Sequence, residues 1–588
     1  MGYTLHKSQD STNRTVGSQL QAVPIVMVIS LIFFGGIGWR LSYLQLERGG
    51  INQQKAESNR TRIVPKPPVR GVIFDRHGEV LATNRQSYSA YLWPKAQIQK
   101  NWPKNRNLLA QILAVKPEKL QKTVESAGHN YPSLIPIARN LTPKQITALQ
   151  EYKSQLKWVE IDTGKIRHYP QGKLAAHIIG YTGELDREQL QQKKPEGYRL
   201  GDIAGKMGVE SAYESQLRGK WGGLKLEVDG SGRIKSFLGE DPAEMGNSLT
   251  LTIDAKLQRA AEAALGTKKG AIVALDPHTG EVLAMASYPS FDPNIFSKDI
   301  TPQVWQELQS QGNPFLNMAL RAFPPASTFK IVTATAGLES GKYPPNTVLG
   351  TYPYLSVGGT RFGEWNKSGF GPMGYVSAMA WSSNTFFGQI GRGAGGEELI
   401  KWARLYGFGK PTGIELQGET SGLIADDAWK RLNFDNWGWT VGDTVNMSIG
   451  QGFTSATPLQ IAVMFSAIAN GGYRVQPHLV RDEQHEPNKV SLNLKPTTLS
   501  TIQRGLRAVV DGGTGTKLNS PDTPPGAGKS GTAEAPPGDS HTWFGAYAPF
   551  DKPEITVVAF LEHSGGGGGS LAAPLARQVM ESYFKSKQ

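Results

Sequence analysis

The segment Pro324-Pro325-Ala326-Ser327-Thr328-Phe329-Lys330 is followed by an apolar run, Ile331-Val332-Thr333-Ala334. Two prolines before an apolar run predict that a helix begins here. Ser327 and Lys330 are three positions apart, so a helix places them on one face and lets the amine reach the hydroxyl. A serine hydroxyl is a weak nucleophile until a base removes its proton, and a partly desolvated lysine with a lowered pKa can be that base. The helix start also offers backbone N–H groups to a developing oxyanion.

Two polar segments downstream of this helix carry further groups that acyl transfer needs. In Ser382-Ser383-Asn384, a buried hydroxyl can relay a proton and the asparagine amide can bind a peptide carbonyl. The segment Gly528-Lys529-Ser530-Gly531-Thr532-Ala533-Glu534 predicts a strand with a cation for a substrate carboxylate, a hydroxyl beside it, and a glycine that admits substrate backbone. The N–H of Thr532 would complete an oxyanion hole with that of Ser327.

Each segment alone is equally typical of an ordinary structural feature: an exposed helix face, a polar turn or a glycine-rich turn. The three in this order form a pattern described for β-lactamases and penicillin-binding proteins. Ser530 stands where that pattern has threonine, and the hydroxyl is retained. The ordered set therefore predicts Ser327 as an acylated nucleophile.

Composition narrows the class of protein. The 588 residues suffice for two or three domains, with 39% hydrophobic and 19% charged residues. Cysteine is absent, which excludes a disulfide framework, a thiolate metal site and a cysteine nucleophile. The net charge is +13, but no helix-turn-helix, zinc-finger or aromatic RNA-binding pattern accompanies it, so no nucleic-acid partner is expected. A basic excess within residues 55–70 fits a solvated face near a membrane, or attraction to lipid headgroups or an anionic precursor.

One membrane segment is expected near the start of the chain. Residues 22–38 are apolar and uncharged, and the apolar character continues past Arg40. This is long enough for a spanning helix of ~20 residues if Arg40 snorkels to an interface. A cleaved signal peptide is the alternative, but no small-x-small pattern follows the apolar run. We expect an uncleaved anchor over 21–46 and, on a weak positive-inside bias, a cytoplasmic tail over 1–20.

The pattern of the remaining chain predicts an α+β fold. A helical, polar region is expected over about 95–160, with Thr142 as a helix cap. A domain starting near residue 246 is expected to have helices and strands in this order: a strand at 250–253, a helix at 255–265 capped by Asp254, a hairpin of 271–275 with 281–287, strands at 542–548 and 555–561, a flexible loop at 565–569, and a final helix at 572–585.

The chain resembles a class B penicillin-binding protein over nearly its whole length. Outside the three catalytic segments the resemblance is carried by residues 70–78, 167–172 with 176–181, 205–214 with 217–219, 281–287 and 541–545. It implies a single N-terminal transmembrane helix, an elongated pedestal domain at 47–245, and a transpeptidase domain at 246–588 built as an antiparallel sheet flanked by helices. It also implies that the catalytic domain lies on the outer, periplasmic side of the bacterial inner membrane.

The resemblance implies a peptidoglycan D,D-transpeptidase that cross-links stem peptides through a serine acyl-enzyme and is inhibited by β-lactams. The amino-acid sequences of the N-terminal segments are most similar to those of elongation-type members. The implied partners are stem peptides on a lipid-linked precursor and a SEDS-family glycosyltransferase in the membrane; no cofactor is expected. The implied catalytic residues are Ser327, Lys330, Ser382, Asn384 and Lys529, and the implied substrate-binding residues are Ser530, Gly531 and Thr532. His541, close to the third segment, is interpreted as structural rather than as a base.

Four alternatives stay open. The chain could be a division-type member, a β-lactamase, a penicillin-sensing receptor, or a scaffold that activates a partner through the pedestal. The anchor and the pedestal argue against a β-lactamase, and the short N-terminal tail argues against a receptor. Some elongation-type members carry zinc between the first two catalytic segments; residues 331–383 contain no Asp, His or Cys here, so no metal is expected.

Overall fold

The computed structural model describes residues 13–50, 60–129, 131, 134–228, 234–297, 300, 302–310, 312–482 and 486–587. Most of the expected cytoplasmic tail, residues 1–12, and part of the basic stretch, residues 51–59, lie outside the described residues. Contacts divide the chain into two compact units, Met1–Pro68 with Lys220–Glu244, and Val69–Gly219 with Met245–Gln588. The predicted pedestal at 47–245 and transpeptidase domain at 246–588 follow the resemblance and stay predictions.

The described chain contains runs of strands and runs of helices. The strands are β1 (Thr61–Lys66), β2 (Ile73–Phe74), β3 (Val80–Leu92), β4 (Ile135–Ala138), β5 (Val159–His168), β6 (Thr182–Glu184), β7 (Ile203–Gly205), β8 (Gly222–Val228), β9 (Ile234–Asp241), β10 (Leu249–Thr250), β11 (Gly270–Leu275), β12 (Val282–Tyr288), β13 (Val348–Thr351), β14 (Tyr354–Val357), β15 (Thr360–Gly363), β16 (Gly371–Gly374), β17 (Leu423–Ile424), β18 (Thr454–Ser455), β19 (Tyr473–Val475), β20 (Lys489–Ser491), β21 (Ala527–Ala533), β22 (His541–Ala548) and β23 (Ile555–Leu561). The helices are α1 (Asn13–Ser42), α2 (Trp102–Leu113), α3 (Pro117–Ala127), α4 (Pro143–Glu151), α5 (Ala176–Ile179), α6 (Arg187–Lys193), α7 (Gly208–Ala212), α8 (Glu214–Leu217), α9 (Ala255–Leu265), α10 (Pro302–Ser310), α11 (Lys330–Glu339), α12 (Tyr375–Ala380), α13 (Asn384–Ala394), α14 (Gly396–Leu405), α15 (Asp427–Asn433), α16 (Val441–Ser448), α17 (Pro458–Ala469), α18 (Pro496–Asp511), α19 (Gly568–Leu571) and α20 (Ala573–Lys585).

The first unit contains the apolar N-terminal helix and a small sheet. Helix α1 leads into a π-helical turn, and Val23–Glu47 has a mean hydropathy of 1.8 with none of its most apolar stretch buried. Among the described residues it is the one helix long and apolar enough to cross a membrane. Strands β1, β8 and β9 pair antiparallel in that order. The single N-terminal apolar helix of the predicted fold class is confirmed.

The second unit begins with a sheet in the order β10-β2-β3-β4, to which β5 adds along β3. Helices α2 to α4 pack beside it, because their residues join Leu92 of β3 in one apolar cluster: Trp102 and Leu109 from α2, Leu120 from α3 and Leu149 from α4. Thr142 caps α4 as predicted, because its hydroxyl accepts the Gln145 N–H while the Gln145 side chain accepts the Thr142 N–H.

A buried ion-pair cluster ties together three of the segments that carry the family resemblance. Glu210 binds Arg70 Nε at 2.6 Å through one carboxylate oxygen and Arg167 Nε at 2.5 Å through the other. Arg70 Nη2 also lies 2.6 Å from Glu214. Burial alone raises the pKa of Glu210, but the Arg70 and Arg167 charges outweigh it and hold that pKa below its ordinary value. These distant segments therefore meet as one charge-balanced junction.

The larger core is built on an antiparallel sheet in the order β12-β11-β23-β22-β21. Alternate residues of β11 face opposite sides, as the two-residue period of a strand requires. Ile272 and Ala274 join a cluster with α9 and α20, whereas Ala271 and Val273 join the cluster that contains α17, every residue of which is buried. The predicted antiparallel sheet flanked by helices is confirmed, as are the Asp254 cap, the hairpin and the final helix.

Two local expectations are corrected. The predicted strand at 250–253 is only Leu249–Thr250, because β2 ends at Phe74, whose carbonyl still accepts the Leu251 N–H, and Leu251 then forms an isolated bridge with Val480. The predicted flexible loop at 565–569 instead runs into the helical turn α19, where Gly568 is buried. A Cβ on Gly568 would lie 2.4 Å from the carbonyl oxygen of Gly531, so this glycine packs directly on β21.

Candidate active site

Ser327 lies on a tight turn that is held by hydrogen bonds from two other parts of the chain. A 3₁₀ turn over Ala326–Phe329 continues into α11, so the helix begins where the sequence predicts. Trp543 Nε1 donates to the carbonyl of Pro324 at 3.0 Å. Ala326 has a φ of +51°, and its N–H donates to the carbonyl of Gly450 at 2.9 Å. A left-handed alanine costs energy that the surrounding contacts must offset, which is common where a turn serves a site.

Lys330 is fully buried and bonds to the second catalytic segment. Its Nζ donates to the carbonyl of Ser382 at 2.6 Å and to Asn384 Oδ1 at 2.7 Å, and lies 3.2 Å from Ser382 Oγ. Burial lowers the pKa of Lys330 to about 7, partly opposed by the negative charge of Glu364. A neutral amine has two N–H groups and one lone pair. The two carbonyl acceptors can take both N–H groups and leave the lone pair for a hydroxyl proton.

The second segment is a turn between α12 and α13 that presents its polar groups to Lys330. Ser382 is buried and has a φ of +56°. Ser383 caps α13, since its hydroxyl accepts the Phe386 N–H at 3.2 Å. The Asn384 Nδ2 donates to the carbonyl of Gly363 at 3.0 Å, which leaves its amide oxygen facing Lys330. The structure thus brings Lys330, Ser382 and Asn384 together.

The third segment is β21, the edge strand of the large sheet. Lys529 is fully buried, and its Nζ donates to the carbonyl of Ser530 at 2.9 Å. Burial, and then the charge of Lys330, lower the pKa of Lys529 well below its ordinary value. The Lys529 side chain is therefore an interior group that interacts electrostatically with Lys330 rather than a cation at the surface.

The residues that follow Lys529 face different surroundings. Ser530 Oγ lies 2.8 Å from the hydroxyl of Thr514, and Thr532 is exposed. Gly531 packs against the Ser327 turn, because an added Cβ would lie 3.3 Å from the carbonyl oxygen of Pro325 and 3.2 Å from Trp543 Cβ. The glycine thus allows β21 to approach the nucleophile's own turn.

His541 is packed as an interior residue. It is 5% exposed, its Nδ1 accepts the His563 N–H at 3.0 Å, and its ring contacts Phe323 and Phe560 edge-on. Burial and the neighbouring His563 lower its pKa. These contacts support the interpretation of His541 as structural.

The residues around the first two segments do not fit a zinc site. Among the described residues, no three His, Cys, Asp or Glu side chains are grouped closely enough to hold a metal ion. Glu364, an acidic side chain that does reach this region, has both oxygens bonded to protein donors from Ser383, Asn384 and Thr385. Carboxylates occupied in this way are poor candidates for metal ligands.

Sequence reasoning missed several residues that shape the site. Trp543 and Gly450 position the Ser327 turn, and neither carries a chemical group that marks a catalytic role. Glu364 is not marked by the sequence, because a lone glutamate in a loop has no spacing that indicates a role. Trp365 and Trp381 form an exposed aromatic rim next to Ser382, joined by a 2.8 Å bond from the Trp365 indole to the carbonyl of Trp381. The sequence signal for Glu364 is only that an acidic residue is placed between Gly363 and Trp365, which by itself indicates no role.

Comparison with known proteins matches both parts of the chain. Residues 270–581 match the penicillin-binding protein transpeptidase domain, and residues 65–251 match the penicillin-binding protein dimerisation domain. The chain is 33% identical to peptidoglycan D,D-transpeptidase MrdA of Haemophilus influenzae, over 96% of this chain and 91% of that protein. A structure of penicillin-binding protein PBP2 in complex with MreC from Helicobacter pylori aligns with a TM-score of 0.80 and 29% identity, covering 90% of this chain and 99% of that one.

A second structure covers more of the chain. That structure concerns the structural coordination of polymerization and crosslinking by a peptidoglycan synthase complex. It aligns with a TM-score of 0.71 and 32% identity, over 97% of this chain and 99% of that chain.

An α+β core with a serine turn, a buried lysine pair and a Lys-Ser-Gly edge strand defines a serine transpeptidase, and the chain belongs to the penicillin-binding protein transpeptidase family. Within that family it is a class B member of the elongation type, a D,D-transpeptidase of the PBP2 kind. The predicted family, fold class and enzyme class are confirmed. The division-type, β-lactamase and receptor alternatives are not supported.

Proposed function

We propose that the chain cross-links peptidoglycan stem peptides through an acyl-enzyme on Ser327. The observation that carries this proposal is the buried Lys330 amine, whose pKa of about 7 makes a large share of it neutral at neutral pH and most of it neutral above that pH. Its two shorter hydrogen bonds go to carbonyl oxygens, with the Ser382 hydroxyl as a third partner at 3.2 Å, so the neutral amine can place both N–H groups on the carbonyls and keep its lone pair for a hydroxyl proton.

The reaction runs in two acyl transfers. Lys330 takes the Ser327 proton, and Ser327 Oγ bonds to the carbonyl carbon of the penultimate D-Ala of a donor stem. The oxyanion is held by the N–H groups of Ser327 and Thr532. The bond to the terminal D-Ala then breaks, and its nitrogen receives a proton through the Ser382 hydroxyl. An amine of an acceptor stem attacks the ester, Ser327 regains its proton, and a new peptide bond remains.

The donor stem lies along β21 in this proposal. An edge strand has backbone N–H and C=O groups directed away from its partner, and an extended peptide can pair with them. Ser530 and Thr532 offer hydroxyls to the terminal carboxylate, while Gly531 keeps the strand close to the Ser327 turn. Burial and then the charge of Lys330 lower the pKa of Lys529, so the two buried amines are electrostatically coupled.

Covalent labelling with a fluorescent penicillin tests the nucleophile. Wild type is expected to be labelled and Ser327→Ala is not, whereas Ser520→Ala, at a half-buried serine outside the three catalytic segments, is labelled like wild type. Labelling of folded Ser327→Ala would sink the assignment. The lifetime of the acyl-enzyme separates the reaction classes, because a transpeptidase holds the penicilloyl group for long periods while a β-lactamase hydrolyses it quickly.

We also propose that Val23–Glu47 anchors the chain with the tail of residues 1–20 in the cytoplasm and the rest outside the inner membrane. Because the helix crosses the membrane once, all residues that follow it lie on the same side of the membrane. The chain has no cysteine, so single introduced cysteines report topology directly. An impermeant maleimide is expected to label Glu397→Cys in intact spheroplasts and to label Ser8→Cys only after lysis. The reverse pattern would overturn the orientation.

A SEDS-family glycosyltransferase is the proposed membrane partner. The support is the similarity to a chain from a structure that concerns polymerization and crosslinking by one synthase complex. The full chain is expected to co-purify with the co-expressed glycosyltransferase, and loss of the partner on replacement of residues 1–46 by an unrelated anchor would locate the contact. A scaffold role can coexist with catalysis; growth and cross-linking supported by Ser327→Ala in cells would favour the scaffold alone.

A further inference from the structure

Glu364 is a buried acid, 3% exposed, in the segment between the first two catalytic motifs. It follows directly on β15, which pairs with β14 across a tight turn of two glycines with φ of +58° and +82°. Left-handed conformations at both turn positions are those of a type I′ hairpin turn, which glycine adopts without strain. The Glu364 N–H donates to the carbonyl of Pro353 at 2.8 Å, so the hairpin fixes where its side chain points.

Both carboxylate oxygens of Glu364 bind the start of α13. Oε2 accepts the Ser383 hydroxyl at 2.6 Å, the Thr385 N–H at 3.0 Å and the Thr385 hydroxyl at 3.1 Å. Oε1 accepts the Asn384 N–H at 3.0 Å. These N–H groups belong to the first turn of the helix, where they lack intrahelical partners and where a negative charge is favoured.

The two hydroxyls donate to Glu364, because an ionised carboxylate only accepts, and each hydroxyl also accepts one hydrogen bond elsewhere. Ser383 Oγ accepts the Phe386 N–H and Thr385 Oγ1 accepts the Tyr352 N–H at 3.3 Å. Every group bonded to Oε2 is therefore a donor, which fits a carboxylate and not an amide.

The neighbours of Glu364 hold the same segment. The Gly363 carbonyl accepts Asn384 Nδ2 at 3.0 Å, and the Trp365 indole donates to the carbonyl of Trp381 at 2.8 Å. Three consecutive residues thus fasten residues 381–385 at separate points. Holding residues 381–385 in place also positions the base, because the Asn384 amide oxygen and the Ser382 carbonyl accept hydrogen bonds from Lys330 Nζ.

We infer that Glu364 is a positioning residue for acylation: its carboxylate holds the turn at residues 382–385 so that Ser382 and Asn384 meet the Lys330 amine. It acts through these residues and touches no reacting atom itself. Its charge also favours the protonated form of Lys330, against the effect of burial. The inference rests on the proposed function, in which Lys330 activates Ser327.

The test measures penicillin acylation of the full-length chain in detergent against pH. Glu364→Gln is expected to acylate about 10- to 100-fold more slowly on the alkaline plateau, because the turn loses an acceptor at Oε2. Loss of the negative charge lowers the pKa of Lys330. The pH at which the acylation rate has fallen to half of its alkaline plateau, the midpoint of the acid limb, therefore moves to lower pH by about one unit. Glu364→Asp keeps the charge and is expected to retain the wild-type midpoint and recover part of the rate.

Controls separate positioning from general stability. Glu397→Gln removes an exposed carboxylate from the first turn of the next helix, α14, and is expected to leave rate and midpoint unchanged. If Glu364→Gln does not fold, Thr385→Val removes one donor to Oε2 with little change in volume, and a slower plateau supports the inference. Wild-type rate and midpoint in folded Glu364→Gln, or a slower rate with an unmoved midpoint and no recovery in Glu364→Asp, would overturn it. Failure of wild type to be labelled at Ser327 would overturn the proposed function as well.

Discussion

The Lys330 side-chain nitrogen donates a 2.7 Å hydrogen bond to the amide oxygen of Asn384. The Asn384 amide is fixed from its other side, because its nitrogen donates to the carbonyl of Gly363. The base and the second catalytic segment are therefore joined by an oriented bond rather than by proximity alone. The chemistry of the site depends on how this bond sets the protonation and direction of the amine.

The pH dependence of acylation follows from Lys330. Only the neutral amine can take the Ser327 proton, and its pKa is about 7, so the acylation rate is expected to fall as the pH drops through that value. Lys330→Ala is expected to fold and to acylate about 100- to 10,000-fold more slowly. Stopped-flow acylation across pH measures both effects. Lys401→Ala, an exposed lysine on α14, is the matched control, and an unchanged rate in Lys330→Ala would remove Lys330 as the base.

Asn384→Asp tests the direction of the electrostatic coupling. A carboxylate within hydrogen-bonding distance of Lys330 stabilises the ammonium, so the pKa of Lys330 rises. The acid limb of the acylation profile is expected to move to higher pH, and the rate at neutral pH to fall with it. Asn384→Ala removes the bond without adding charge and is not expected to raise the midpoint. A midpoint that stays in place in Asn384→Asp would show that Lys330 does not control the limb.

Much of this site could be predicted from the sequence, because the chemistry demands particular residue types at short spacing. Ser327 with Lys330 on one helix, and Asp254 or Thr142 as caps, are local arrangements in which a few neighbouring residues decide the outcome. Glu364 could not be placed in this way. Its position depends on a hairpin and on a contact with a turn about twenty residues away in sequence. The burial of Lys529 depends likewise on a sheet assembled from the two ends of the domain.

The junction of Arg70, Arg167 and Glu210 makes a stability prediction. Glu210→Gln leaves two buried guanidinium groups without their shared anion, and breaking a buried ion pair in this way costs about 3–5 kcal/mol. Thermal or denaturant unfolding of the full chain measures the loss, with Glu188→Gln, an exposed acid in the first turn of α6, as the control. A loss no larger than that of the control would contradict a structural role for this junction.

The same junction predicts how the free energy of unfolding changes at acidic pH. The pKa of Glu210 in the folded chain lies below its ordinary value of 4.5. The stabilisation is therefore fully present above that value and is lost as the pH falls through the lower, folded-state pKa. Unfolding free energy is expected to decline more steeply on acidification in wild type than in Glu210→Gln. Parallel declines would show that Glu210 does not titrate with folding.

Gly531→Ala tests whether β21 must lie close to the Ser327 turn. The added methyl carbon would lie 3.2 Å from Trp543 Cβ, and 3.3 Å from both the Pro325 carbonyl oxygen and Thr328 Cγ2. None of these atoms is the free end of a flexible side chain, so the strand or the turn has to shift. Overpacking of this kind costs about 1–3 kcal/mol.

A shift of the strand relative to Ser327 disturbs both the oxyanion hole and the substrate strand. The penicillin acylation rate of Gly531→Ala is therefore expected to fall about 100-fold, which is more than its stability loss explains. Gly164→Ala is the matched control, because this strand glycine has open space where its Cβ would lie. If Gly531→Ala acylates as fast as Gly164→Ala at equal folded fraction, the close approach of β21 to the nucleophile's turn is a packing feature without consequence for the chemistry.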